Sequence, residues 1–163
     1  MEQLWAPWRL AYVAADKPAG GEPACFICQG LAQTEDRQNL IAWRTTRSVV
    51  VLNRFPYNNG HLLVAPHAHK AQLDELNNDE HLDLMLTVQK MVGILNDLLK
   101  PQGYNIGLNL GQVAGAGLPG HLHWHIVPRW GGDTNFMAVL ADTRVIVQSL
   151  TTLYDLLTER LKT

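Results

Sequence analysis

Apolar and polar positions alternate in short runs over much of the chain, and turn residues bound each run. Residues 40–43 (Leu-Ile-Ala-Trp) and 48–53 (Ser-Val-Val-Val-Leu-Asn) predict the two strands of a hairpin joined around residues 44–47. Residues 55–60 (Phe-Pro-Tyr-Asn-Asn-Gly) have the composition of a turn. Residues 61–65 then form a third strand ended by Pro66. From Asn77 the period lengthens. Asn77 and Glu80 make a capping box, and Leu84, Val88, Met91, Leu95 and Leu98 fall on one helical face until Pro101 and Gly103 end it. Residues 104–109 predict a fourth strand, a glycine-rich loop fills 111–120, and residues 121–127 predict a fifth strand. Beyond a loop at 131–135, residues 145–162 predict a last amphipathic helix on Val147, Leu150, Leu153, Tyr154, Leu157 and Leu161. Strands, a helix and strands again, on short connections and without repeats, indicate an α+β domain on a five-stranded antiparallel sheet.

At 163 residues the chain is expected to form one domain. Residues 1–24 read as an arm that packs through Trp5, Trp8 and Tyr12 before a Pro- and Gly-rich link. The hydrophobic share is 47%, yet no segment has the uninterrupted apolar length of a membrane span. Residues 1–9 lack the basic start and apolar core of a signal peptide, so a cytoplasmic protein is expected. A net charge of −2 gives no broad basic field and excludes general nucleic-acid binding. A small anionic ligand stays compatible, because local amides and histidines hold phosphate without a positive surface.

The chemistry concentrates at residues 120–130, Gly-His-Leu-His-Trp-His-Ile-Val-Pro-Arg-Trp, where three of the seven histidines alternate with apolar residues. On a strand, His121, His123 and His125 project to one face and Leu122, Trp124 and Ile126 to the other. The pattern by itself allows a half-buried strand, a metal site or nucleophilic catalysis by an imidazole. Cys25 and Cys28 form a C-x-x-C pair, either half a zinc site or a redox couple. A redox pair expects a following helix in a thioredoxin-like context. Residues 29–39 are polar and irregular instead, which favours zinc if two more ligands exist. His67 and His69, just past the third strand, are within the pool of ligands.

The run at residues 121–127 matches the His-φ-His-φ-His-φ-φ signature, and the chain resembles the histidine triad (HIT) superfamily of nucleotide hydrolases and transferases. Residues 53–61 (Asn-Arg-Phe-Pro-Tyr-Asn-Asn-Gly-His) are similar to the family's nucleoside-binding turn, and Asn109 to the asparagine before its glycine-rich loop. The resemblance covers residues 25–137 as the core of a single domain, leaving 1–24 as the arm and 138–163 as an extension with a helix. The runs at residues 4–9 and 128–136 are similar to a bacterial subgroup that includes diadenosine tetraphosphate phosphorylases.

The resemblance implies a HIT-like fold, a homodimer and an adenine-nucleotide substrate. It also implies structural zinc held by Cys25, Cys28, His69 and His121, with His67 the near alternative to His69. His123 would attack the α-phosphorus of a (di)nucleoside polyphosphate and form a nucleotidyl-histidine that water or phosphate resolves. His125, His61 and the loop amides around Gly115, Gly117 and Leu118 would stabilise phosphoryl charge, with Asn53 and Asn109 on the substrate and Arg129 adding charge or bracing the strand. Most relatives carry Gln-Ser or Gln-Thr where this chain has Gly117 and Leu118. A leaving group therefore takes its proton elsewhere, His61 being one candidate, or needs none. This favours polyphosphates over phosphoramidates. The competing readings are a non-catalytic nucleotide-binding module, a nucleoside phosphoramidase, and a hydrolase whose zinc sits on all three triad histidines.

Overall fold

The computed structural model describes residues 24–133 and 146–162. The aromatic part of the predicted arm lies outside the described residues, as do the end of the run at 128–136 and the predicted helix start at 145. In chain order the elements are α1 (Phe26–Leu31), β1 (Ile41–Arg44), β2 (Ser48–Leu52), β3 (Leu62–Pro66), α2 (Asn78–Leu99), β4 (Gly103–Leu108), β5 (Trp124–Arg129) and α3 (Leu150–Leu161). The strands form one sheet in the order β1-β2-β3-β5-β4, and every neighbouring pair is antiparallel. The expected α+β class, with five strands, one long helix and a last helix, is what the chain adopts.

The two faces of the sheet follow from the alternation. Val50, Leu52, Leu62, Val64, Leu122, Trp124 and Ile126 face α2 and α3, where Leu84, Val88, Met91, Leu95, Leu153 and Leu157 complete the larger core. Leu62, Leu84, Leu95, Ile126 and Leu157 are fully buried. Each such side chain contributes about 1.5–3 kcal/mol relative to exposure. The intervening residues Val49, Val51, Leu63 and Ala65 point the other way and are covered by Ile27 of α1, with Ile41 and Leu118. Leu63 stands opposite His125 across β3 and β5. Directly opposed residues share a face, so the histidines lie on the α1 side.

α2 has the predicted start, with Asn77 accepting from the Glu80 N–H and Glu80 reaching back to the Asn77 N–H. Lys100 ends it in the left-handed region at φ 49°. Three elements differ from expectation. A six-residue helix, α1, follows the C-x-x-C pair, where the sequence suggested no regular structure. At its C-terminal end the Gly30 oxygen accepts from the Gln33 N–H, and the Arg44 guanidinium reaches across from β1 to the Gly30 and Leu31 oxygens. α3 begins at Leu150, capped by Ser149, and Val147 is 83% exposed, so it belongs to no apolar stripe. Ladder pairing of β5 begins at Trp124 rather than residue 121, because Leu122 N–H donates to Lys70 O and the His121 ring to Pro66 O. No helix among the described residues is long and apolar enough to cross a membrane.

Candidate active site and metal centre

β5 lies between β3 and β4 and carries the histidine row into the middle of the sheet. His121 and His123 are buried, and each ring is oriented by a backbone carbonyl. His121 Nε2 lies 2.8 Å from Pro66 O, and His123 Nδ1 lies 2.8 Å from His121 O. A carbonyl only accepts, so each of those nitrogens carries the proton. That leaves Nδ1 of His121 and Nε2 of His123 with free lone pairs. The two neighbouring histidines thus present opposite nitrogens.

The free Nδ1 of His121 faces the cysteines, 3.2 Å from Cys25 Sγ and 3.5 Å from Cys28 Sγ, while His69 Nδ1 is 3.3 Å from Cys28 Sγ. The ligand atoms of Cys25, Cys28, His69 and His121 all lie within 4.8 Å of one another. Both cysteines are free thiols. Burial and the neighbouring Cys25 push the Cys28 thiol up to about 11. Two sulfurs this close ionise together only beside a cation, so the S₂N₂ donor set and the bare imidazole nitrogen fit a tetrahedral dication. His67 is outside this cluster, its buried Nε2 without a partner among the described residues.

His61, at the end of the turn before β3, joins the row from the side. Its Nε2 lies 2.9 Å from His125 Nδ1. Tyr57 N–H donates to His61 Nδ1 at 3.0 Å, and Asn53 Nδ2 approaches the same nitrogen at 3.2 Å. The Tyr57 ring covers both imidazoles, with its centroid 4.7 Å from His61 and 5.8 Å from His125. Burial, then the proximity of His125 and His123, lowers His61 to about 3. Burial, then His123, lowers His125 to about 4. His123 is also lowered by burial, against the opposing effect of its bond to the His121 carbonyl. At neutral pH the histidine face is therefore uncharged.

Asn109 follows β4 and leads into the loop. Within that loop the Gly115 N–H donates to Gln112 O and the Ala116 N–H to Gly111 O. The amides of Gly117 and Leu118 have no hydrogen-bond acceptor among the described residues, and the Leu118 side chain is buried against α1. Arg129 points its guanidinium at Asp133 through two nitrogens and at Asn105 Oδ1, which makes it a brace. Asp133 also accepts from Asn58 at 2.8 Å, tying the 53–61 turn to the end of β5. The sequence reading missed Asn58, Asp133 and Tyr57. The turn motif named their neighbourhood but not their partners.

The HIT domain family profile matches residues 34–132. The AP-4-A phosphorylase of Mycobacterium tuberculosis is 38% identical over 155 residues, covering 92% of this chain and 79% of that protein. An asymmetrical bis(5'-nucleosyl)-tetraphosphatase of Schizosaccharomyces pombe is 33% identical over 93 residues, 57% of this chain and 50% of that one. Among solved structures, a zinc-bound histidine triad family protein from Mycobacterium smegmatis has a TM-score of 0.67 at 23% identity, covering 87% of this chain and 96% of that chain.

Proposed function

The chain belongs to the HIT domain family, and from that membership we propose that it cleaves dinucleoside polyphosphates by nucleotidyl transfer through His123. The observation that carries the proposal is the orientation of His123: Nδ1 is committed to the His121 carbonyl, so the neutral ring offers Nε2 as nucleophile. Nε2 attacks the α-phosphorus, the bond from that phosphorus to the bridging oxygen breaks, and a polyphosphate leaves as an anion. Water or inorganic phosphate then displaces His123 from the nucleotidyl group. His125, held from behind by His61, and the amides of Gly117 and Leu118 hydrogen-bond the phosphoryl oxygens. Gly115 and Asn109 shape the loop, and Asn53 contributes to the nucleoside side. The Gly115 amide is spent on Gln112 O, so Gly115 acts through loop conformation.

Cys25, Cys28, His69 and His121 are the proposed zinc ligands, supported by their mutual approach. A zinc ion held by these four would have its coordination filled by protein, so it would act structurally, joining α1 to the segment entering β5. A cytoplasmic setting is proposed with it, because a reducing compartment keeps the thiols available. A homodimer is proposed through the β4 edge and the outer face of α2, where Ile106, Leu82, Met85 and Leu86 are exposed. Incubation with diadenosine tetraphosphate, with and without phosphate, tests the function. AMP plus ATP without phosphate marks a hydrolase, ADP plus ATP with phosphate marks a phosphorylase, and no product in either arm refutes the proposal.

A further inference from the structure

Cys25 and Cys28 take no part in the proposed transfer, yet the fold holds their sulfurs side by side. Cys25 caps α1 and Cys28 lies in its first turn, where the Cys28 N–H donates to Cys25 Sγ at 3.4 Å. The two sulfurs lie within 4.8 Å of each other and are not bonded. Rotation of the side chains is enough to bring them to the bonding separation of about 2 Å. Their surroundings differ. Cys25 Sγ faces the buried ring of His121 at 3.2 Å, whereas the contact of Cys28 Sγ with His69, at 3.3 Å, is at the surface. α1 itself is six residues long, too short to be stable alone. Its buried Ile27 packs in the same cluster as Leu63 of β3 and Leu118 of the glycine-rich loop.

We infer that Cys25 and Cys28 are an oxidation site, which a peroxide closes to a disulfide, withdrawing two of the four metal donors and loosening α1 from the loop at Leu118. The inference rests on the proposed zinc ligands. Metal-bound cysteines are thiolates, the reactive form. Cys28, on the solvent side, attacks one oxygen of hydrogen peroxide; the O–O bond breaks, hydroxide leaves, and Cys28 becomes a sulfenic acid. Cys25 then attacks that sulfur, the S–O bond breaks, and a second hydroxide leaves. Two electrons pass from the sulfur pair to the peroxide, and two thiolates plus one peroxide give one disulfide and two hydroxides. His69 and His121 are then the remaining donors, two neutral imidazoles without the thiolate charge that favours a dication, so the metal is released. α1 keeps its Ile27 packing and its Arg44 contacts but loses its tie to the segment entering β5. The His123 ring keeps the His121 carbonyl, so the disturbance falls on α1 and the loop. A dithiol reverses the bond by exchange.

Titration of the zinc-loaded protein with hydrogen peroxide tests this, followed by intact mass, peptide mapping, zinc release to a chromogenic chelator and amide hydrogen exchange. The mass should fall by two hydrogens per chain, the map should show a Cys25–Cys28 crosslink, and zinc should be freed in step with it. The amides of Gln29 and Ala32, which bond to Cys25 O and Cys28 O, and that of Ala116 in the loop should exchange at least about tenfold faster. Dithiothreitol with added zinc should restore all four readouts. Cys25→Ser, which cannot form the bond, should instead carry Cys28 to the sulfinic acid, a gain of two oxygens that dithiothreitol does not remove. Thiols still reduced after peroxide has consumed an equal concentration of free cysteine overturn the inference. So does a disulfide that forms with zinc retained, or with exchange unchanged at α1 and Ala116. If the reduced protein binds no zinc, yet the crosslink forms and exchange quickens, the ligand set falls and the oxidation site stands.

Discussion

Replacing Gly60 with alanine perturbs the site through its scaffold. Gly60 has φ +79°, a conformation that L side chains rarely adopt, and it immediately precedes His61. A Cβ built there would meet Leu99 Cδ1 at 2.7 Å and Pro128 Cγ at 2.9 Å. The left-handed backbone costs about 1–2 kcal/mol for a residue with a Cβ. The leucine methyl can rotate aside, but the proline ring is held within β5, so overpacking adds about 1–2 kcal/mol at the low end of the usual range. The total of about 2–4 kcal/mol corresponds to a drop of about 1–2 M in the urea midpoint, at a slope of about 2 kcal/mol/M. Gly93 is the control. Nothing lies within 4 Å of its would-be Cβ in α2, so Gly93→Ala should gain about 0.5–1 kcal/mol. Equilibrium urea unfolding followed by tryptophan fluorescence measures both. A loss below about 1 kcal/mol for Gly60→Ala, on the scale where surface substitutions fall, would refute the claim that this turn is clamped between α2 and β5.

Cys25→Ser should lower bound zinc from one per chain towards zero by atomic absorption. It should also lower thermal stability by about 2.7 kcal/mol for metal at a hundredfold over its Kd, with a smaller effect on the chemical step. Full zinc retention in that variant contradicts the ligand set. Acid should destabilise the fold through His61. Its folded proton affinity lies below the unfolded value of 6.5, so stability is fully present above pH 6.5. It is lost as pH falls towards about 3, by up to about 1.4 kcal/mol per pH unit. Urea midpoints that do not change between pH 6.5 and 4.5, compared with a His61→Gln variant, would contradict the buried neutral ring. For the same reason the acid limb of kcat/KM should lie below pH 6.5. A limb above it would mean a histidine face more exposed than described.

The alternation at residues 121–126 was enough to place Leu122, Trp124 and Ile126 in the α2 core and the histidines on the opposite face, because a period of two has one consistent burial pattern. Asn77 and Glu80 likewise fixed the start of α2, since a capping box is local. What escaped depends on partners distant in sequence. α1 exists because Cys25 caps its N-terminus and Arg44 satisfies its C-terminus, and the Arg44 contact crosses 13 residues of chain from Leu31. Asp133 accepts from both Arg129 and Asn58, and the Asn58 contact spans 75 residues. Which nitrogen each histidine presents was not legible either, because it depends on the carbonyls of Pro66 and His121 and the amide of Tyr57. Backbone groups are the same at every position, so their roles carry no signal in residue type.

The central claim is that His123 Nε2 becomes bonded to phosphorus. Zinc-loaded protein mixed with diadenosine tetraphosphate, quenched rapidly without acid and analysed by intact mass and peptide mapping, tests that bond directly. One adenylyl group on His123 is predicted, and His123→Ala should bind the dinucleotide yet form neither adduct nor product. A His123→Ala variant that turns over at a near-native rate, with no adduct on the native chain, would contradict the account and assign the attack to water.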